Sequence, residues 1–205
     1  MTTQTPKISI QFTESMNRLQ DLEGEYAPPI LYPEGETWLG IVRKWHPDFE
    51  GWEIIDQQKL TDPDFPKNLR LNTQLMIQTD LFYLEKYWEP AHIQKLANVA
   101  ANIDFEVFEM TVHMGKTTAI KLFQRTLNQL NKNQKLYKNI NEDGIIGPQT
   151  LYALNQAIPT VSIKTILFLL QINQGCYYLK LWENDEEKEK YHGWLRRLSL
   201  KTNHF

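Results

Sequence analysis

Four glutamates flank a proline-rich segment near the start of the chain, and carboxyl groups grouped in this way can perform acid–base chemistry. Glu23 and Glu25 precede the segment, and Glu34 and Glu36 follow it. Hydrolysis of a glycosidic bond uses one carboxyl group that protonates the leaving oxygen and commonly a second that stabilises positive charge or activates water. Glutamates on a surface loop are more often simply solvated, so the residues alone leave both interpretations open.

Glu23 is the acid whose surroundings we expect to differ from the others. It follows an amphipathic pattern that contains Leu19 and Leu22, and Tyr26 comes three residues later. We therefore predict that Glu23 alone among the acids of this segment has a partly shielded side chain. Burial disfavours a charged carboxylate and raises its pKa, which keeps a proton available near neutral pH.

Composition and motif content exclude several other classes. The 205 residues carry a net charge of −3, which argues against a dedicated nucleic-acid-binding protein. The single Cys176 excludes an internal disulfide, and no HExxH or paired-cysteine motif indicates zinc. We therefore expect no cofactor and no metal. We also expect no membrane insertion, because the longest apolar run (166–170) is far too short to span a bilayer.

The spacing of apolar residues, caps and breakers predicts a mainly α fold with at most a small β element. Helices are expected to begin at Thr13, Asn72, Ile93, Thr117, Pro148 and Ser162, with others through Trp38–Trp45 and Trp52–Leu60. Ile8 and Ile10 alternate as in a short strand. Trp45 and Trp194 are expected in the core, because large aromatic residues at helical spacing are usually buried.

Two motifs near the start resemble a known family. Glu23-Gly24, followed by Pro33-x-Gly35-x-Thr37-x-x-Gly40-Ile41, is similar to the beginning of the glycoside hydrolase family 108 N-acetylmuramidases, which include phage-type endolysins and proteins once called secretion activators. Tyr87-Trp88 resembles a Tyr-Trp pair of the family. Val112-His113-x-Gly115 stands where the family has Val-Asn-x-Gly.

The second half resembles the predicted peptidoglycan-binding region of the same family. The similar segments are 120–128, 143–151 and 193–197, of which Asp143-Gly144-x-x-Gly147-Pro148 is the most specific. The resemblance implies a lysozyme-like N-terminal region at 13–110 and a helical C-terminal region at 111–200, packed as one compact unit. Gly144, Gly147 and Pro148 also suit turns and a helix start, so a packing role is at least as compatible with this motif as a binding role.

The resemblance implies hydrolysis of the glycan backbone of peptidoglycan with Glu23 as the general acid. Thr37 would position water or the sugar, and Glu36, or else Glu34, would supply the stabilising charge. The implied substrate-binding residues are Tyr26, Glu34, Tyr87, Trp88 and His113, among which Tyr26 and Trp88 are favoured for stacking on sugars.

The implied partners are peptidoglycan and an inhibitor or immunity protein, or a secretion machinery. Because the sequence starts without an apolar signal region, we expect synthesis in the bacterial cytoplasm. Action in the periplasm or on the wall would then follow release by a holin, a secretion system or lysis.

Four positions depart from the family pattern. Glu25 replaces the second glycine of the first motif, Tyr32 replaces a loop aspartate, Glu34 replaces the first glycine of the loop pair, and His113 replaces asparagine. These changes leave open two alternatives to hydrolysis: a non-catalytic peptidoglycan-binding protein, and a helical protein-interaction component of a secretion system.

Overall fold

The computed structural model describes residues 8–29 and 35–183 together with Trp194 and Leu198. It consists of two units, Met1–Pro90 and Ala91–Phe205. The prediction of a mainly α fold with a small β element is confirmed, since helices dominate and one three-stranded sheet accompanies them. The boundary predicted between residues 110 and 111 stays a prediction.

In its described residues, the first unit contains three α-helices and the sheet. In chain order its elements are α1 (Ile10–Leu22), β1 (Tyr26–Ala27), β2 (Thr37–Trp38), β3 (Ile41–Val42), α2 (Gly51–Thr61), a 3-10 turn (Leu69–Leu71), α3 (Thr73–Tyr83) and a π-helical turn (Leu84–Trp88). The strands are antiparallel in the order β1-β2-β3. Its buried side chains include Phe12, Met16, Leu19, Trp38, Ile55, Leu75 and Trp88.

Helix α1 begins earlier than the sequence indicates. The Ser9 hydroxyl caps the helix by accepting a hydrogen bond from the Phe12 backbone N–H at 3.1 Å. Thr13 therefore lies inside the first turn, and the predicted strand at Ile8 and Ile10 is wrong. The helix ends at Leu22, with Glu23 as its C-terminal cap.

The predicted helix through Trp38–Trp45 is also wrong, because this segment forms the β2–β3 hairpin. Trp38 pairs with Ile41 across a two-residue turn in which Leu39 has φ 42° and Gly40 has φ 81°. Two positive φ angles give a turn whose twist matches that of paired strands. Trp38, Ile41 and Val42 are all buried. Their spacing therefore reflects burial of the hairpin and not one face of a helix.

The second unit is helical. Its elements are α4 (Ile93–Ala97), α5 (Ile103–Met114), α6 (Lys116–Leu130), α7 (Pro148–Val161) and α8 (Ile163–Glu183). The expected helix over 93–112 is interrupted, and α5 begins after Asn102, which has φ 72°. Pro148 occupies the first turn of α7 as predicted.

Among the described residues, no single helix is long and apolar enough to cross a membrane. The bent pair α7–α8 reaches the necessary length and apolar composition only when its two helices are taken together.

Candidate active site

The hairpin turn brings Gly40 against the carboxyl group of Glu23. A Cβ atom added to Gly40 would lie 2.8 Å from Glu23 Oε2 and 2.9 Å from the Tyr83 hydroxyl. Glycine is thus required twice, by the positive φ angle and by the close approach of the carboxyl group. The Thr-x-x-Gly-Ile motif therefore encodes a turn shaped to receive the Glu23 side chain.

Two tyrosines of α3 and the π-helical turn lie beside Glu23. Tyr83 is 1% exposed, and its hydroxyl donates a hydrogen bond of 2.6 Å to the Leu39 carbonyl, which fixes the hairpin turn. The ring centroid of Tyr87 lies 5.7 Å from that of Tyr83. Burial, together with the charge of Glu23, raises the pKa of Tyr87, and the predicted contact of this tyrosine with substrate stays a prediction.

Glu23 is half-buried, as expected for a shielded acid. The shielding comes from Gly40 and Tyr83, which the sequence did not indicate. The expectation that Glu23 alone is shielded is wrong, because Glu36 is only 7% exposed. Glu25 is exposed and pairs with Arg70 at 3.1 Å.

Glu36 belongs to a cluster of two acids and two bases. Its carboxyl group contacts Arg43 Nε at 2.8 Å and Lys59 Nζ at 2.5 Å, and it accepts a hydrogen bond of 2.7 Å from the Tyr26 hydroxyl. Asp56 binds the same two cations, with two hydrogen bonds from Arg43 at 2.8 and 2.9 Å. The cluster therefore ties the start of β2 to α2, and its formal charges cancel.

The electrostatic consequences of this cluster are large for its members. The hydrogen bond from Arg43 lowers the pKa of Asp56 to about 2. Burial, with the hydrogen bond to Glu36, raises the pKa of Tyr26. The Tyr26 ring also packs edge-on against Phe65 at 4.9 Å. Tyr26 is thus a partner of Glu36 in the structure, and its predicted contact with sugar stays a prediction.

The other predicted catalytic and binding residues occupy distinct places. The Thr37 hydroxyl donates to the Gly35 carbonyl at 3.2 Å. Glu34, like Tyr32, lies outside the described residues. His113 lies at the end of α5, where its Nδ1 is 2.9 Å from the Tyr178 hydroxyl and its ring packs edge-on against Trp194.

The predictions for Trp45 and Trp88 are both wrong, because Trp88 is buried and Trp45 is exposed. Trp88 is 2% exposed and packs edge-on against Phe12 at 5.4 Å, so the prediction that its ring stacks on a sugar is corrected. Trp45, predicted to lie in the core, is 61% exposed. Its backbone N–H and that of His46 both donate to the Val42 carbonyl, which holds Trp45 in a tight turn after β3.

The Asp-Gly-x-x-Gly-Pro motif of the second unit performs a packing role. Gln124 is 1% exposed, and its amide donates to Asp143 Oδ1 at 2.7 Å and to the Ile145 carbonyl at 3.0 Å. Its side-chain oxygen accepts the Gly144 N–H at 2.9 Å. Every polar atom of one buried glutamine side chain therefore holds the loop that precedes α7.

Polar pairs also join α5 to α8. Gln171 lies 3.4 Å from Glu106, and Gln174 lies 3.4 Å from Glu109. Among the described residues, no group of three or more histidine, cysteine, aspartate or glutamate side chains could hold a metal ion.

The comparisons with known proteins match two successive parts of the chain. Residues 16–115 match the model of the family described as glycosyl hydrolase 108, and residues 118–199 match that of a predicted peptidoglycan domain. The structure of Brucella abortus SagA is similar to this chain, with a TM-score of 0.56 and 20% identity over 92% of this chain and 89% of SagA. This likeness concerns the fold. No functionally curated protein matches the chain.

The two family matches confirm the enzyme class and the substrate predicted from the sequence. The protein is a glycoside hydrolase, and it acts on the glycan of peptidoglycan.

Proposed function

Since the chain carries a glycosyl hydrolase 108 domain followed by a predicted peptidoglycan domain, we propose that Glu23 is the general acid with which it cleaves the glycan. The observation that supports this role is the contact of Glu23 with Gly40. A Cβ atom added to Gly40 would lie 2.8 Å from Glu23 Oε2 and 2.9 Å from the hydroxyl of the buried Tyr83, so the carboxyl group lies close against the hairpin turn. A half-buried carboxyl group whose position is limited by close neighbours is suited to proton transfer.

In the proposed reaction, the protonated Glu23 gives its proton to the glycosidic oxygen as the bond to the anomeric carbon breaks. Water then adds to that carbon and loses a proton, which returns to Glu23 directly or through solvent, and the leaving sugar departs as an alcohol. The resemblance to the N-acetylmuramidases indicates that the leaving oxygen belongs to N-acetylglucosamine. Mass analysis of digests of purified peptidoglycan tests this assignment, because a muramidase leaves N-acetylmuramic acid at the new reducing end and a glucosaminidase leaves N-acetylglucosamine.

We also propose roles for Thr37 and Glu36, which lie at the other end of the hairpin. Thr37 pairs with Val42 in the sheet, and its hydroxyl is proposed to position water or the sugar. Glu36 is proposed to act on the site through its charge and through the cluster that fixes β2. The ion pairs with Arg43 and Lys59 support the second contribution more strongly than the first.

We also propose a route to the substrate and a class of partner. Peptidoglycan lies outside the cytoplasmic membrane, so an enzyme made in the cytoplasm needs a holin, a secretion system or lysis to reach it. An inhibitor or immunity protein would then protect the producing cell. Expression with and without a fused Sec signal tests the route, because only the exported form is expected to be toxic. Equal toxicity of both forms would contradict the proposal.

A further inference from the structure

The Tyr83 hydroxyl and the Glu23 carboxyl group approach the same point beside the hairpin turn. The Cβ position of Gly40 lies 2.9 Å from the hydroxyl oxygen and 2.8 Å from Glu23 Oε2, so the two oxygen atoms are at most about 5.7 Å apart. The terminal torsion of a glutamate side chain has a broad range, and either carboxyl oxygen can therefore turn towards the hydroxyl. The fold thus places a neutral hydroxyl group beside the proposed general acid.

The hydrogen bonding of Tyr83 limits what its hydroxyl can offer to Glu23. A tyrosine hydroxyl has one hydrogen to donate and lone pairs that accept. That hydrogen is donated to the Leu39 carbonyl at 2.6 Å, and neither residue is more than 1% exposed. The Leu39 N–H in turn donates to the Glu25 carbonyl at 3.1 Å, which ties the same turn to the segment that follows Glu23. Towards Glu23, the Tyr83 oxygen is therefore left as an acceptor.

We propose that Tyr83 is a positioning residue whose hydroxyl oxygen accepts a hydrogen bond from the protonated carboxyl group of Glu23. This inference rests on the proposed role of Glu23. An acceptor binds the protonated acid and has no hydrogen to offer to the ionised carboxylate, so it favours the form that carries the proton. The hydrogen bond holds this proton on Glu23 in the free enzyme, and the carboxyl group exchanges Tyr83 for the glycosidic oxygen when substrate binds.

Other titratable groups near Glu23 are common to all the enzymes that the test compares. Tyr87 lies on the π-helical turn, where burial and the charge of Glu23 raise its pKa. Asp80 on α3 accepts a hydrogen bond from Gln20, and Glu25 pairs with Arg70. The remaining charged side chains towards the end of α1 and on the π-helical turn are Arg18, Asp21, Glu85 and Lys86. A difference in pH dependence between variants at positions 79 and 83 therefore belongs to the substituted group.

Two variants of α3 separate this role from a structural one. Tyr83→Phe removes the hydroxyl and keeps the ring. Thr79 lies one helical turn earlier, and its buried hydroxyl accepts a hydrogen bond of 2.9 Å from Trp38 Nε1 on β2. Thr79→Val is the matched control, because it also removes one buried hydrogen bond between α3 and the hairpin and leaves the Tyr83 hydroxyl in place.

The measurement is the pH profile of kcat/KM on solubilised peptidoglycan, which reports the ionisation of groups in the free enzyme. Activity should fall on the high-pH side as Glu23 loses its proton. We expect Tyr83→Phe to move this fall to lower pH by about 0.5–1 unit, the size expected for one lost hydrogen bond. Its activity should then be reduced by up to about tenfold at high pH and little at low pH. Thr79→Val should change the rate by the same factor at every pH.

Replacement of Tyr83 by 3-fluorotyrosine serves if Tyr83→Phe does not fold, because the fluorinated hydroxyl still donates to Leu39 and is a weaker acceptor. It should shift the fall in the same direction. The proposal is overturned if the fall in the folded Tyr83 variant stays at the wild-type pH or moves to higher pH, or if Thr79→Val moves it as far. An unmoved profile with inactive Glu23→Gln would overturn this inference alone, whereas full activity of Glu23→Gln would overturn the proposed role of Glu23.

Discussion

Glu23 and Glu36 lie at two ends of the same small sheet, and their neighbours differ in kind. Glu23 is half-buried against Gly40 and lies near the two tyrosines Tyr83 and Tyr87. Glu36 is 7% exposed and contacts two cations. The comparison teaches that the position of a carboxyl group in a motif does not define its role. The groups around it decide whether it can exchange a proton or holds elements together.

The difference also explains how the hairpin serves both groups. Its turn touches Glu23 through Gly40, and the start of β2 carries Glu36, whose cluster reaches α2 through Lys59. The backbone N–H of Arg43 donates to the Glu36 carbonyl at 2.9 Å. The cluster therefore fixes the hairpin, and the hairpin fixes the acid.

Apart from changes to Glu23 itself, the largest effect is expected from Gly40→Ala. The new methyl group would collide with the Glu23 carboxyl group, and a displacement of about 1 Å at a catalytic group can cost ~100-fold in rate. We expect a loss of turnover of this size in a wall-lysis assay, together with a stability loss of about 1–2 kcal/mol for a non-glycine residue at positive φ.

Gly35→Ala is the matched control for this variant. Gly35 has φ 94°, and a Cβ atom there would meet nothing within 4 Å. It should reproduce the loss of stability and keep the activity. Equal loss of activity in both variants would show that backbone strain, rather than the contact with Glu23, explains the effect.

A smaller effect on turnover is expected from Glu36→Gln. Removing this charge leaves Arg43 and Lys59 with Asp56 alone, and breaking a buried ion pair is costly. Because both cations are about 30% exposed, we expect a loss of about 1–3 kcal/mol in the free energy of unfolding, reduced by solvent screening. Urea unfolding measures it, with the exposed Glu53→Gln on α2 as the control. A strong loss of turnover with unchanged stability would instead make Glu36 the direct stabilising charge, and Glu34→Gln should then matter less.

The smallest effect is expected at acid pH from Asp56. Its pKa is lowered from 3.8 to about 2, so its ion pairs stabilise the folded state above pH 4 and lose this contribution as the pH falls towards 2. Asp56 is 49% exposed, and we expect a contribution of about 1 kcal/mol or less. Melting temperatures between pH 5 and pH 2 should therefore decline less steeply in Asp56→Asn than in the wild type. Parallel curves would contradict this assignment.

Local signals in the sequence predicted the helix boundaries that depend on one residue. Asn72 caps α3 by accepting the Leu75 N–H, and Pro148 starts α7. The hairpin was mistaken for a helix because apolar spacing of three and four residues also suits two short strands around a turn. The positive φ of Leu39 has no signature in the residue type.

The sequence predicts only part of the site, because some of the contacts that form it have no local signal in the sequence. The family motif identified Glu23, whereas Tyr83 carries no motif and reaches the site through the packing of α3. The partners of Glu36 lie 7 and 23 residues further along the chain, so no local pattern joins them. Periodicity also cannot distinguish a buried tryptophan from an exposed one. It therefore predicts a core position for the exposed Trp45 and a substrate-facing position for the buried Trp88, and both predictions are wrong.

The central claim is tested most directly by Glu23→Gln, compared with Glu25→Gln in the same assay. Glutamine keeps the shape of the side chain and cannot give up a proton to the leaving oxygen. Melting temperature, binding to insoluble peptidoglycan and the rate of wall lysis should be measured on each variant. We predict that Glu23→Gln folds and binds as the wild type does and has no lytic activity, while Glu25→Gln remains active. Full lytic activity of Glu23→Gln would contradict the account.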